Sequence, residues 1–243
     1  MKNIKVMTYN LQHCLDYNQL LLKNRVIDID MICDIIKKEN PDIIGLNEVY
    51  NDINHIETVE QAKYIANKLG YNYYFFGQSI IIKETIEYGN AIISKYPLEN
   101  IQVIKIDDPL IKDENVWYES RSIISCKINI DNEIINVYVT HLGLAKQEQI
   151  NGIDKLLEII KPKQNNIILG DFNMKADNNA IKKLYSILND TNSYSKVEKF
   201  TYPSINPKMK IDYIFCNGIN CVESYVVEEV GSDHLPVVSV FKI

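Results

Sequence analysis

Short runs rich in Ile and Val recur along this chain, and each meets polar residues at one end. They read "IKVMTY", "DIIGLN", "IINVYVTH", "NIILGD", "KIDYIF" and "PVVSVF". β-Branched and aromatic side chains in runs of this length favour strands over helices. Longer stretches between them have helical spacing. In "RVIDIDMICDIIKKENP", Val26, Ile29, Ile32, Cys33 and Ile36 recur at three and four residues, and the pattern stops before Pro41. "TVEQAKYIANKLG", which ends on a glycine as helix C-caps do, "QEQINGIDKLLEIIKP" and "NAIKKLYSILND" read the same way. From Tyr71 to Thr140 the runs are strand-like and no helix is expected. Strands outnumber helices, so a mixed α/β fold follows with more sheet than one doubly wound layer needs. Two packed sheets flanked by helices accommodate it.

No linker-like stretch, long charge run or internal repeat interrupts this alternation over the 243 residues, so one domain spanning 1–243 is expected. The start, "MKNIKVMTYN", lacks the apolar stretch of an export signal, and no segment approaches the roughly 20 apolar residues of a membrane span. Both observations point to a cytoplasmic protein without a membrane role. Cys14, Cys33, Cys126, Cys216 and Cys221 make an odd count with no CxxC pair, as expected of reduced, packed thiols rather than a disulfide or zinc site. The net charge of −6 and the presence of only two arginines, Arg25 and Arg121, give no general electrostatic footprint for nucleic acid. Local charge in a groove or a bound metal can override that balance.

The polar residues at the run ends carry the chemistry. Asn10 ends the first run, Asn47 and Glu48 the second, and His141 the third; Asp171 and Asn173 follow "NIILG", while Asp233 and His234 precede the last. Loops at strand edges can gather such groups into one crevice. Singly, each has a plainer reading: a turn asparagine, a helix-capping carboxylate, a hydrogen-bonded strand-end histidine. Together they offer acidic oxygens, amides and imidazoles, with no nucleophile elbow and no Gly-rich phosphate loop. Clustered carboxylates repel one another unless protonated or neutralised, and a hard-oxygen set without thiolates suits Mg²⁺ or Mn²⁺ better than zinc. Metal-assisted hydrolysis of a phosphate ester is the reaction this inventory performs most naturally.

The ordered motifs "TYNL", "GLNEV", "YGNAIISKYP", "VYVTHLGL", "LGDFN", "TYPS", "KIDYIF" and "SDHLPV", from about Lys5 to Phe241, resemble the endonuclease/exonuclease/phosphatase superfamily. "GDFN" alone is a weak signal; followed by "IDYIF" and "SDHLPV" it is a strong one. The resemblance implies a four-layer α/β/β/α sandwich with the active site at one end of the two sheets. It implies Glu48 as principal metal ligand, Asn10 contacting metal or phosphate, and Asp233 near the metal, with one or two Mg²⁺ or Mn²⁺ ions. It further implies that Asp171 positions or deprotonates the attacking water, that Asn173 holds a phosphate oxygen, and that His141 donates to a non-bridging oxygen. Asp212 would accept a hydrogen bond from His234 and stabilise its charged form. For His141 the candidate carboxylate partner is Glu87, with Asn90 as an alternative contact to the site.

Arg121, in "YESRSII", suits phosphate or a structural carboxylate pair equally. His13, in "NLQHC", is placed to reach substrate from the loop after the first strand, whereas His55 matches no motif and reads as a surface residue. After "THLGL" similar sequences carry Arg and Gln on the helix; here Gln149 and Gly152 stand at those places, which puts a phosphate contact from this helix in doubt. No basic or aromatic insertion for DNA and no apolar insertion for membrane docking is evident. The expected substrate is a small phosphorylated metabolite, either a phosphomonoester such as a sugar phosphate or a phosphodiester headgroup. Nuclease activity is the alternative among enzymes, and a non-catalytic binding protein of the same fold is the alternative outside them.

Overall fold

The computed structural model describes residues 2–51, 60–82, 84–113, 115–195 and 200–243; His55 lies outside them. The strands of the first sheet are β1 (Asn3–Asn10), β2 (Ile43–Asn51), β3 (Tyr73–Ile82), β4 (Ile86–Ser94), β11 (Asn220–Val226) and β12 (Val237–Lys242). Those of the second are β5 (Glu99–Lys105), β6 (Ser122–Ile130), β7 (Glu133–His141), β8 (Asn165–Asp171), β9 (Asn189–Asp190) and β10 (Asp212–Asn217). Their orders are β11-β12-β1-β2-β4-β3 and β5-β6-β7-β8-β10-β9. Each sheet is mixed, with a parallel pair inside it: β1 with β2, and β7 with β8.

Those parallel pairs decide where the polar run ends go. Parallel neighbours finish at the same edge, so Asn10 aligns with Asn47 and His141 with Asp171. Antiparallel pairing brings in the rest. Asp212, the first residue of β10, sits opposite Asp171, the last of β8. Val237 of β12 sits opposite Thr8 of β1, so the residues just before β12 arrive beside Asn10.

Three apolar layers hold the sheets in place. Met7, Tyr9, Ile44 and Leu46 pack beneath α2 (Ile29–Glu39) and α3 (Gln61–Leu69), through Ile32, Ile36 and Ile65. Their neighbours in the strands face the other way, so Val6, Ile43 and Ile92 meet Val139, Ile167 and Leu169 between the sheets. Tyr138, Ile168 and Phe215 face outward again, against Ile153 and Leu156 of α4 (Lys146–Ile159) and Leu184. The result is the α/β/β/α sandwich. Both faces of the central strands are buried, which is why their runs are nearly continuous in Ile and Val.

Helix bounds follow local chemistry. The Asp28 carboxylate accepts the Met31 N–H at 2.9 Å and starts α2, leaving Val26 outside it and exposed. Gly70, at φ 75°, closes α3. "NAIKKLYSILND" is not an α-helix: residues Ile181–Ser186 form a 3₁₀ segment, in which buried Ile181 and Leu184 stand three apart, the spacing that aligns side chains in that geometry. A short helix at Tyr17–Leu21 (α1), capped by Asp16, has no apolar periodicity to announce it. All five cysteines are buried and unpaired. Among the described residues no helix is long and apolar enough to cross a membrane.

Gly170 permits the close approach of β8 to β7 beside the site. Its φ is +149°, and a Cβ there would lie 1.8 Å from the Thr140 carbonyl oxygen. Gly170→Ala is expected to cost about 3 kcal/mol or more of stability, measured by urea unfolding, because backbone rather than a side chain must move.

Candidate active site

The first acidic group is aimed by an irregularity in β2. Leu46 pairs with Ala91 and Val49 with Gly89, so one extra residue is inserted between them, and Glu48 takes φ 56°. A bulge of this kind turns a side chain out of the regular alternation. The Glu48 carboxylate thereby reaches the amide of Asn10, whose Nδ2 donates to Glu48 Oε1 at 3.0 Å and to Asp171 Oδ2 at 3.1 Å. The Asn10 oxygen accepts the Gln12 N–H at 3.0 Å. Asn10 therefore presents nitrogen to the carboxylates, an orienting contact between the two sheets.

Asn47 ties the site to its foundations. Its Oδ1 accepts the Asp171 N–H at 2.9 Å, and its Nδ2 donates to Asn90 Oδ1 at 2.7 Å and the Thr140 carbonyl at 2.9 Å. Asn90 in turn donates to the Ser122 carbonyl at 3.0 Å and is fully buried. Its amide is spent joining the sheets, so it underlies the crevice instead of lining it, contrary to the substrate contact expected of it. Glu87 also departs from expectation. The β2–β4 register sets it opposite Asn51, whose amide its carboxylate accepts, and His141 has a different partner.

That partner is Arg121. Its Nη1 lies 2.9 Å from His141 Nδ1 and 3.2 Å from Glu119 Oε1. A guanidinium has only hydrogens to offer, so Nδ1 accepts and the ring proton resides on Nε2. Burial, then the Arg121 charge, then that of His234 hold the His141 pKa well below its ordinary value, and the ring is neutral. His141 Nε2 and Asn173 Nδ2 stand 3.1 Å apart, while the same amide donates to the Leu142 carbonyl at 2.9 Å. With the proton on Nε2 both are donor groups, and the Asp171 carboxylate lies 3.5 Å from Nε2. Arg121→Ala is expected to remove about 3 kcal/mol of stability in urea unfolding, because Glu119 would be left largely buried and unpaired. It should also lower turnover about 10- to 100-fold by freeing His141.

Asp171 lies at the centre. Its Oδ1 accepts the Asn173 N–H at 2.8 Å, and its Oδ2 is 3.5 Å from His141 Nε2 and 3.7 Å from His234 Nε2. Burial raises its carboxyl, His234 lowers it, Asp212 raises it again, and it stands at about 7. His234 Nδ1 is 2.8 Å from Asp212 Oδ2. Burial would depress this imidazole, but Asp212 and then Asp171 overcome that, and its pKa is raised to about 10. Tyr202 covers the ring, with centroids 4.9 Å apart. The "TYPS" segment also braces the chain behind it, through Leu235 N–H to Thr201 O at 2.8 Å and Ser204 N–H to Asp233 O at 2.7 Å. Asp233 is half-buried and bonded by Ser232 Oγ at 3.1 Å.

Donor atoms of Asp171, Asp212 and His234 lie within 4.8 Å of one another. The protonated imidazole already supplies the positive charge in that group. Glu48 lies outside that group, and burial pushes its carboxyl up. Burial likewise raises Asp233. Hard carboxylate oxygens of this kind suit a divalent cation.

Gln149 is committed to the loop beside it. Its Nε2 donates to the Asn173 carbonyl at 3.0 Å and its Oε1 accepts from Asn178 at 3.1 Å, so it secures the Asn173 loop from behind. A Cβ on Gly152 would approach Leu142 Cδ2 at 2.6 Å, so the glycine is a packing requirement.

Residues 7–234 match the model of the Endonuclease/Exonuclease/phosphatase family. The chain belongs to that family. Solved structures of similar fold include an endonuclease/exonuclease/phosphatase from Beutenbergia cavernae, 20% identical with a TM-score of 0.80, covering 100% of this chain and 72% of that one. A family protein from Leptotrichia buccalis is 23% identical with a TM-score of 0.77, over 99% of this chain and 100% of that one. A mannosyl-6-phosphatase from Bacteroides thetaiotaomicron is 15% identical with a TM-score of 0.80, again over 99% and 100%. No curated protein matches the chain significantly. Members of the endonuclease/exonuclease/phosphatase family are hydrolases of phosphoesters, and the crevice at the strand ends is this member's candidate site for that chemistry.

Proposed function

We propose that this chain is a cytoplasmic, Mg²⁺- or Mn²⁺-dependent phosphoesterase that hydrolyses a small phosphorylated metabolite by in-line attack of water. The observation that carries the reading is the convergence on Asp171 of Asn10, His141 and the Asp212–His234 pair. Glu48 and Asp233 would hold the metal, which when bound polarises a phosphoryl oxygen and neutralises charge on the phosphate. Asp171, poised at about 7, orients the attacking water and takes its proton. His234, kept charged by Asp212, and the His141 and Asn173 donors stabilise the negative charge that grows on the phosphoryl oxygens. Asn10 fixes the angle between Glu48 and Asp171.

A small substrate is favoured over nucleic acid by the net charge of −6 and by the burial of Arg121, which leaves Arg25 as the one arginine at the surface. The mannosyl-6-phosphatase of the same fold supports a sugar phosphate. Nuclease activity is favoured by one observation, the cavity beside Asn173 bordered by Lys146 and Lys175. Phosphate release from a panel of sugar phosphates, turnover of an aryl phosphodiester and nicking of plasmid DNA, each with Mn²⁺, separate the readings. A sugar phosphate should be turned over at least about tenfold more efficiently than the others; efficient plasmid nicking lost in His234→Ala would establish the nuclease.

A further inference from the structure

The bulge that aims Glu48 lies where β2 outruns its neighbour. β1 ends with Asn10 opposite Asn47, so Glu48 and the residues after it, to Asn51, run past the last β1 partner. There the Tyr50 N–H donates to Gln61 Oε1 at 2.8 Å, and Gln61 Nε2 donates to the His13 carbonyl at 2.8 Å. Gln61, the first residue of α3, is buried. With a donor on one side and an acceptor on the other, its amide joins the end of β2 to the loop after β1 much as a peptide group joins two strands.

The two segments it joins flank Glu48. His13 stacks on Tyr50, with ring centroids 4.3 Å apart and planes 8° apart. His13 Nδ1 lies 3.8 Å from Glu48 Oε2, beyond hydrogen-bond length, while Glu48 Oε1 accepts from Asn10. Along the chain, Asn47, bonded to Asp171, Asn90 and Thr140, anchors the residue before Glu48, and Gln61 anchors Tyr50 just beyond it. The backbone so enforced is one that free chains avoid. Glu48 has φ 56°, and Gln12, His13 and Cys14 have φ of 45°, 48° and 62°. Non-glycine residues persist there only where the surroundings hold them. We infer that Gln61 is a positioning residue for Glu48: by clamping Tyr50 and His13 together it holds the bulge that presents the carboxylate to Asn10 and to the proposed cation. The inference rests on the reading of Glu48 as that cation's ligand.

Calorimetric binding of Mn²⁺ alone to the full chain tests it apart from hydrolysis. Gln61→Met keeps the length of the side chain and removes both hydrogen bonds, whereas Gln61→Asn stays polar but is too short to span them. Each should weaken Mn²⁺ binding by about tenfold or more, the usual cost of losing a group that orients a metal ligand. Ile65→Ala, which empties core space in the same helix without touching the clamp, should leave the affinity within about twofold. Thermal melts establish that each variant is folded at the temperature of the titration. Mn²⁺ binding that stays within about twofold of wild type in either folded Gln61 variant, or that falls as far in Ile65→Ala, would overturn the inference. Undiminished Mn²⁺ binding by Glu48→Gln would instead defeat the assignment of Glu48 as a ligand, whatever the Gln61 variants do.

Discussion

His234→Ala is expected to lower kcat/KM by about three orders of magnitude, because it would remove the cation that the proposed reaction uses to stabilise the phosphoryl charge. Asp212→Asn keeps the imidazole but takes away its nearest negative charge, 2.8 Å from Nδ1. Turnover that needs the imidazolium is expected to persist through pH 9 in the wild type, with the His234 pKa raised to about 10. In Asp212→Asn burial is opposed by less negative charge, so the alkaline limb of the pH profile should move down by more than one pH unit. Stability has the same sign. A raised histidine pKa contributes stability that is full below about 6.5 and is lost as pH rises through about 10. Kinetic profiles from pH 5 to 10 check both variants; an unchanged alkaline limb in Asp212→Asn would remove the role given to that pair.

Chelation by EDTA is expected to abolish turnover, and Mn²⁺ to raise the Tm of the chelated protein more at pH 8 than at pH 6. The sign follows from the carboxylates. Asp171, raised from 3.8 to about 7, stabilises the folded metal-free chain fully below about pH 4, and that contribution is lost as pH rises through 7. Burial drives Glu48 and Asp233 in the same direction. At lower pH a cation competes with protons on Glu48 and Asp233; at higher pH it neutralises carboxylates that have lost them. At a hundred times its Kd the ion adds about 2.7 kcal/mol. Thermal melts at both pH values read the difference, and an equal gain at pH 6 and pH 8 would contradict the assignment of cation-binding carboxylates with raised pKa values.

The layers of this fold are legible in the sequence because burial on two faces leaves nearly unbroken Ile/Val runs, and β1, β8, β10 and β12 lie where those runs stand. The gathering of Asn10, Asp171 and His234 at one edge is legible as a tendency of strand ends, but the register that achieves it is not. The contact of Asp212 with His234 is legible through the resemblance of "KIDYIF" and "SDHLPV" to the family's motifs. The bulge that aims Glu48 leaves no signature, since "GLNEV" reads as plain strand. Arg121 is ambiguous until its neighbours are known: it is buried and its Nη1 meets both Glu119 and His141. The stack of His13 on Tyr50 joins residues of different segments through Gln61, a dependence no local pattern encodes.

Anomalous diffraction from crystals of the full chain soaked with Mn²⁺ and inorganic phosphate tests the metal-dependent phosphoesterase most directly. A manganese peak within ligand distance of Glu48, with phosphate oxygens held by Asn173, His141 and His234, is the predicted result. Phosphate bound elsewhere, or manganese seated between Asp212 and His234 with Glu48 unligated, would contradict it.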